Sequence, residues 1–260
     1  MSDPGYHSGP LAMDNPGEGD RLRLLAQQWD PHTRAVLAET GPKADWRCLE
    51  LGAGTGAIAY WLAEQCPAGH VTAVDIDTRH LDPARAPNLT VRQADVTVEE
   101  FPAGSFDLVH ARMLLCHLPE RERLLARAAR WLAPGGWLVV EEPYFLPTEG
   151  SRHPELARLC ELSLARLAEH GSDLRWAARL PGLVADLGLT EVTTRTETNC
   201  LGGGGVRGQL TLATVRQFGA ALVDEGRITP AEVDQVLATV ARPDFLELWS
   251  LMVSVLGRSR

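Results

Sequence analysis

The stretch Cys48–Gly56, CLELGAGTG, runs from an apolar segment straight into three glycines at every second position. Glycine takes up left-handed backbone conformations at no steric cost, and with no side chain it lets a ligand come close to the main chain. The stretch therefore predicts a tight strand-to-helix turn that cradles a ligand. Gly52-Ala53-Gly54-Thr55-Gly56-Ala57 also satisfies the dinucleotide pattern G-x-G-x-x-G/A, and Asp75 stands at the distance of a ribose-binding acid. Taken alone, the turn suits several nucleotides, and its surroundings have to decide between them.

Outward from the turn, strands and helices alternate. WRCLEL reads as a buried strand, TGAIAYWLAEQC as a helix, HVTAVDID as a second strand and TRHLDPARA as a short helix cut by Pro83. LTVRQADV and FDLVHAR are further strands, PERERLLARAARWLAP is an amphipathic helix, and GGWLVVEEP is a fifth strand. This rhythm implies right-handed βαβ units and a mostly parallel sheet covered on both faces. Before it, Arg21–Gly41 reads as helical, with Asp30-Pro31 expected to break the helix. After it, two helices precede the strand TEVTTRTETN. Two more helices follow, the second opening on the capping box Thr229-Pro230-Ala231-Glu232, and FLELWSLMVSVLG closes the chain as an apolar strand. The expected organisation is a flexible leader over 1–20 and a single domain over 21–260. Within that domain the core spans 45–145, and a helical lid insertion covers about 203–243. Gly202–Gly205, followed by Arg207, reads as a hinge to that lid rather than an anion nest.

Composition removes several classes of chemistry. The chain has 260 residues, 25 basic against 34 acidic, for a formal net charge of −9, which argues against a polyanionic partner such as nucleic acid. Lys43 is the single lysine. In GPKADW it fits neither a P-loop, nor a Tyr-x-x-x-Lys dehydrogenase pair, nor a Schiff-base site. The five cysteines, odd in number and free of any C-x-x-C pair, suggest neither a disulfide framework nor a metal site. No window has the unbroken apolar length of a membrane span, and the first residues lack the order of a secretion signal, so a cytoplasmic location is expected. The apolar terminal segments would allow a homodimer.

With LELGAGTG (49–56), VTAVDID (71–77), VRQADV (91–96), SFDLVHARMLLCHLP (105–119) and LAPGGWLVVEEP (132–143) in this order, the chain resembles the class I S-adenosylmethionine-dependent methyltransferases. The likeness is to the small-molecule branch, similar to ubiquinone and menaquinone methylases and to bacterial natural-product methylases. It implies a Rossmann-like α/β fold with a seven-stranded, mostly parallel sheet whose last strand is antiparallel, helices on both faces, and helical lid elements. It implies S-adenosyl-L-methionine as cofactor and a small-molecule acceptor. By the same resemblance, Glu50, Gly52, Ala53, Gly54 and Gly56 would face the methionine part, Asp75 the ribose hydroxyls, Ile76 the adenine face, and Asp95 with Val96 the adenine amino edge. His110 and Ala111 would lie beside the amine and sulfonium, and Arg112 would bind the carboxylate unless it pairs with a helix acid. Glu50 also gives a physical reason to prefer this cofactor over NAD: an acid pointing into the turn opposes a pyrophosphate and welcomes a cationic amine.

Methyl transfer from an activated sulfonium asks the protein mainly to align the nucleophile and, where needed, take its proton. His117 is the candidate base because imidazole titrates near neutrality. Glu142 is the second catalytic candidate, with Tyr144 and Arg207 nearby in the expected site. The alternative reading within the same fold is an enzyme that keeps the cofactor but uses it for a cyclisation or rearrangement without methyl transfer. A third, a scaffold without turnover, sits poorly with the complete set of glycines and acids. An Asn/Asp-Pro-Pro-Tyr signature of nucleic-acid methylases is missing, since the corresponding position reads His110-Ala111-Arg112-Met113.

Overall fold

Seven strands, β1 (Arg47–Leu51), β2 (His70–Asp75), β3 (Leu89–Gln93), β4 (Phe106–Arg112), β5 (Leu132–Phe145), β6 (Thr190–Gly202) and β7 (Leu246–Arg258), form one sheet in the order β3-β2-β1-β4-β5-β7-β6. They are seen in a computed structural model that describes residues 11, 12 and 14–260. β1 to β5 pair in parallel. β7 runs the other way: the Gly135 amide meets the Ser259 carbonyl while the Leu146 amide meets that of Trp249. It opposes β6 as well, with Thr190 against Arg258 and Asn199 against Ser250. The expected single antiparallel strand is therefore β7.

The crossovers follow the apolar pattern. α2 (Ala57–Gln65) leaves the glycine turn with Ile58, Ala59, Leu62 and Ala63 buried, and α3 (Arg121–Trp131) buries Leu124, Leu125, Ala128 and Trp131 before β5. The Rossmann-like core centres on Leu37, Cys48, Leu62, Val71, Leu108 and Val139. It lies in a compact unit made of residues 29–144, 175–197 and 252–260. A second unit comprises the described residues up to Gln28 together with 145–174 and 198–251. In this unit α4 (Pro154–Glu169), α6 (Gly205–Asp224) and α7 (Pro230–Val240) share a core of Leu156, Val215, Leu222, Val236, Phe245 and Trp249. The Thr229 capping box is formed in full. No helix among the described residues is long and apolar enough to cross a membrane.

Several local expectations change. α1 (Glu18–Glu39) continues through Pro31 instead of breaking there. Proline deletes one helical hydrogen bond and crowds the preceding turn, at roughly 3 kcal/mol. The burial of Trp29, Thr33, Val36 and Leu37 around it outweighs that cost. The short helix expected at TRHLDPARA shrinks to a 3₁₀ turn at Pro83–Arg85, capped by the Asp82 side chain. β5 begins at Leu132, earlier than GGWLVVEEP suggests, and a bulge opposite Phe106–Leu108 absorbs the extra residues. Of the expected leader, residues 1–10 and Met13 lie outside the described residues, whereas Leu11 and Ala12 are buried and Glu18 already belongs to α1. α5 (Leu180–Asp186) lies between α4 and β6.

Candidate active site

The glycine turn is tied to the next strand at two points. The amides of Gly52 and Ala53 both bond to the Val74 carbonyl, at 2.9 and 3.1 Å. Gly54 and Gly56 have φ of +55° and +79°, where an L side chain is strained. Their reasons for being glycine differ. A Cβ on Gly56 would lie 2.6 Å from Tyr60 Cζ and 2.7 Å from Leu81 Cδ2, so Gly56 is needed for packing at the start of α2. A Cβ on Gly54 would meet nothing within 4 Å among the described residues, so that position opens on space a ligand can fill.

Asp75 ends β2 facing the turn. Its Oδ2 accepts the Gly54 amide at 2.8 Å and its Oδ1 accepts the Asp77 amide at 3.0 Å. Burial raises its pKa, and the amides of Asp77 and Gly54 pull the other way without cancelling it. The carboxylate is thus locked in one orientation while each oxygen keeps a lone pair for a hydroxyl donor. The carbonyl of Ile76, half-buried beside it, accepts from Gln93. After β3, Asp95 Oδ1 caps its own loop by accepting from the Thr97 amide and hydroxyl, at 2.8 and 2.7 Å. Val96 is buried, and Arg127 of α3 holds this loop by donating to the carbonyls of Val96 and Thr97.

The register of the central strands gathers a second group of residues. Glu50 pairs with His110 across β1 and β4, and His110 pairs with Val139 across β4 and β5. Because side chains alternate along a strand, Glu50, His110, Arg112 and Glu141 share one face of the sheet, while Glu142 points to the other. His110 is fully buried, with Nδ1 2.7 Å from Glu50 Oε2 and Nε2 3.2 Å from Glu141 Oε2. With an ionised carboxylate oxygen at each ring nitrogen, both nitrogens donate and the ring is an imidazolium. Burial works against that charge, but the Glu50 charge and the hydrogen bonds to Glu141 and Glu50 prevail, and the His110 pKa is pushed up to about 9. Burial likewise penalises ionised Glu141, yet His110, Ser254 and Thr33 hold its pKa down at about 2.

Sequence reasoning places His110 beside the cofactor amine; the structure sets it behind Glu50, with both nitrogens taken. Arg112 follows the second of its two readings, pairing with a helix acid: its guanidinium donates to Asp30 Oδ1 at 3.0 Å and to Thr33 Oγ1 at 2.9 Å, both in α1. Ala111 between them is buried.

Glu142 also departs from expectation. Its carboxylate is fully buried and accepts the amides of Leu114, Leu115 and Cys116, at 3.2, 2.7 and 3.2 Å. Burial raises its pKa to about 7 despite the hydrogen bonds from Cys116, Leu115 and Leu114. It is the anchor of the turn that follows β4 and exposes no surface to a substrate. That turn, the 3₁₀ segment Leu115–His117, carries half-buried His117.

Residues that sequence reasoning passes over are Glu141, Ser254, His32, Asp30 and Thr33. Ser254 Oγ donates to Glu141 Oε1 at 2.7 Å and lies 3.0 Å from His32 Nε2. A signal exists for Glu141: two acids and a histidine on apolar, fully buried strands cannot stay charged without one another.

The glycine turn, the preset Asp75 carboxylate, the capped Asp95 loop and a nearly buried acid at the end of β1 lie along one edge of the sheet, outside the strand C-termini, where open α/β sheets bind nucleotides. The space above Gly54 and the anionic rather than cationic lining fit a nucleoside with a positively charged amino-acid end. A methyltransferase domain model matches residues 49–140. Methyltransferase str3 of Strobilurus tenacellus is 36% identical over 205 residues, covering 75% of this chain and 72% of that protein. The chain belongs to the class I S-adenosylmethionine-dependent methyltransferases.

Solved structures agree on the fold of this methyltransferase. The phosphoethanolamine N-methyltransferase 2 of Haemonchus contortus, in complex with S-adenosyl-L-methionine, superposes with a TM-score of 0.58 at 17% identity. That match covers 95% of this chain and 59% of that one. The geranyl diphosphate C-methyltransferase of Streptomyces coelicolor A3(2) superposes with a TM-score of 0.54 at 11% identity, over 95% of this chain and 86% of that one. S-Adenosylmethionine is the cofactor of the methyltransferase.

Proposed function

We propose that the methyltransferase transfers the methyl group of S-adenosylmethionine to a small, largely apolar metabolite, with the cofactor held by the residues at the C-terminal edge of β1 to β4. The observation that carries the site is the pair of preset acids: Asp75, fixed by the Gly54 and Asp77 amides, for the ribose hydroxyls, and Glu50 for the ammonium. The Gly52–Gly56 turn admits the amino-acid end, Ile76 covers the adenine, and Asp95 with Val96 borders its amino edge. When bound, the cofactor supplies a methyl carbon already activated by positive sulfur.

The chain's own residues then align and deprotonate. His117, on the turn after β4, takes the proton of an acceptor that must lose one. Glu142 acts through that turn, holding the amides of Leu114 to Cys116 so that His117 stays in place. A small acceptor agrees with the net charge of −9, which disfavours a polyanion, and with the small molecules named for the solved relatives. A single methyltransferase domain over 21–260 with a helical lid insertion at about 203–243, a cytoplasmic location and a homodimer are parts of the same proposal.

The test is incubation of the full chain with methyl-labelled cofactor and a panel of hydroxylated, carboxylated and amine-bearing apolar metabolites. Label is expected in product. Acceptor converted to an unlabelled product would instead show the cofactor acting without methyl transfer.

A further inference from the structure

Glu50 is only 3% exposed, and its side chain makes one strong contact, from Oε2 to His110 Nδ1. Its Oε1 accepts no hydrogen bond from the described residues. A polar side chain so deeply placed keeps one orientation only while a partner holds it. We propose that His110 and Glu141 are positioning residues that clamp Oε2 of Glu50 and so present Oε1 to the ammonium end of the cofactor. The inference rests on the reading that the amino-acid end of S-adenosylmethionine lies at Glu50.

The surroundings make the clamp rigid and set its charge. From β5, Glu141 grips the far nitrogen of His110; Glu141 is in turn held from β7 by Ser254, at 2.7 Å, and from α1 by Thr33, with His32 Nε2 3.5 Å away. Arg112 of β4, bonded to Thr33 and Asp30, fixes α1 over the same face. The two ring nitrogens of His110 bond to the two carboxylates, and the titratable or charged side chains on the elements packed behind Glu141 are His32, Arg112 and Asp30. Two carboxylates and one imidazolium leave the triad with one negative charge, the complement of a single ammonium. Without His110, Glu50 Oε2 loses the hydrogen bond that fixes it, and Oε1 is no longer presented to the amine in one orientation.

Calorimetric titration separates this role from general damage to the site. S-Adenosylhomocysteine carries the amino-acid end, and 5′-methylthioadenosine lacks it. Glu50→Gln, His110→Asn and Glu141→Gln are expected to weaken the first roughly tenfold or more, the loss of one hydrogen bond to a charged group, and to leave the second unchanged. If Glu50→Gln binds S-adenosylhomocysteine like the parent, the placement of the amino-acid end is wrong. If Glu50→Gln weakens it and His110→Asn does not, the placement stands and the clamp is overturned. Equal losses for both ligands also overturn it, because a positioning role acts on the amino-acid end alone. Nitrogen-15 NMR of the parent chain is independent of any variant's folding: both His110 ring nitrogens should be protonated at neutral pH, and a neutral ring overturns the proposal.

Discussion

Asp75→Ala is expected to lower the affinity for S-adenosylmethionine by roughly a hundredfold. In the proposed site the carboxylate offers each ribose hydroxyl a charge-assisted hydrogen bond, and two of these at about 1.5 kcal/mol apiece correspond to a factor of about 100. The geometry behind the number is the fixed orientation of the acid, with one oxygen on the Gly54 amide and the other on the Asp77 amide. Those internal bonds are lost too, so the variant also loosens the glycine turn, and the measurement has to separate the two effects. Calorimetric titration with adenosine cofactor, run beside thermal melting, does this. Affinity within about twofold of the parent would remove Asp75 from the ribose site; a fall in affinity with a nearly unchanged melting temperature would keep it there.

The second large effect falls on stability. Glu142→Ala strips the acceptor from three amides in a turn whose core residues Leu115 and Cys116 are buried. Stranded buried donors cost about 1–3 kcal/mol each, and some will find other partners, so a net loss of about 3–5 kcal/mol is expected in urea unfolding. The pH dependence carries its own sign. Burial raises the Glu142 pKa from 4.5 to about 7, so the folded protein binds this proton more tightly than the unfolded chain does. The contribution is fully present below pH 4.5 and is lost as pH rises through 7, a change on the order of 3 kcal/mol. Glu142→Gln should flatten that part of the stability profile. A variant that keeps the parent's slope between pH 4.5 and 7 would show that another group titrates there.

How much of this is legible without a structure depends on whether the deciding contacts are local. The Gly52–Gly56 turn, the acid ending β2 and the strand–helix alternation are written in neighbouring residues, and they form where expected apart from the helix at TRHLDPARA and the start of β5. So does the Thr229 capping box, whose partners are three residues apart. What the sequence hides is pairing at long range and choice of face. Glu141 and Glu142 are adjacent acids on one strand, and alternation sends one to His110 and the other to the Leu115 turn; nothing local says which. The links from Glu141 to Ser254 and from Arg112 to Asp30 join residues far apart in the chain. Pro31 signals a break in α1 locally, but the burial of Trp29, Thr33 and Leu37 around it overrides that signal. His110 shows the same limit. The family resemblance places it beside the cofactor amine, and only the register with Glu50 and Glu141 reveals that both nitrogens are committed.

In the proposed site the glycine turn, with Glu50 beneath it and Asp75 beside it, is built for a cationic amino-acid nucleoside and not for a pyrophosphate. Titration of the full chain by calorimetry with S-adenosylmethionine and, in parallel, with NAD measures this directly. Saturable 1:1 binding of S-adenosylmethionine, with no measurable heat from NAD at the same concentrations, is the predicted result. Equal or tighter binding of NAD would contradict the account.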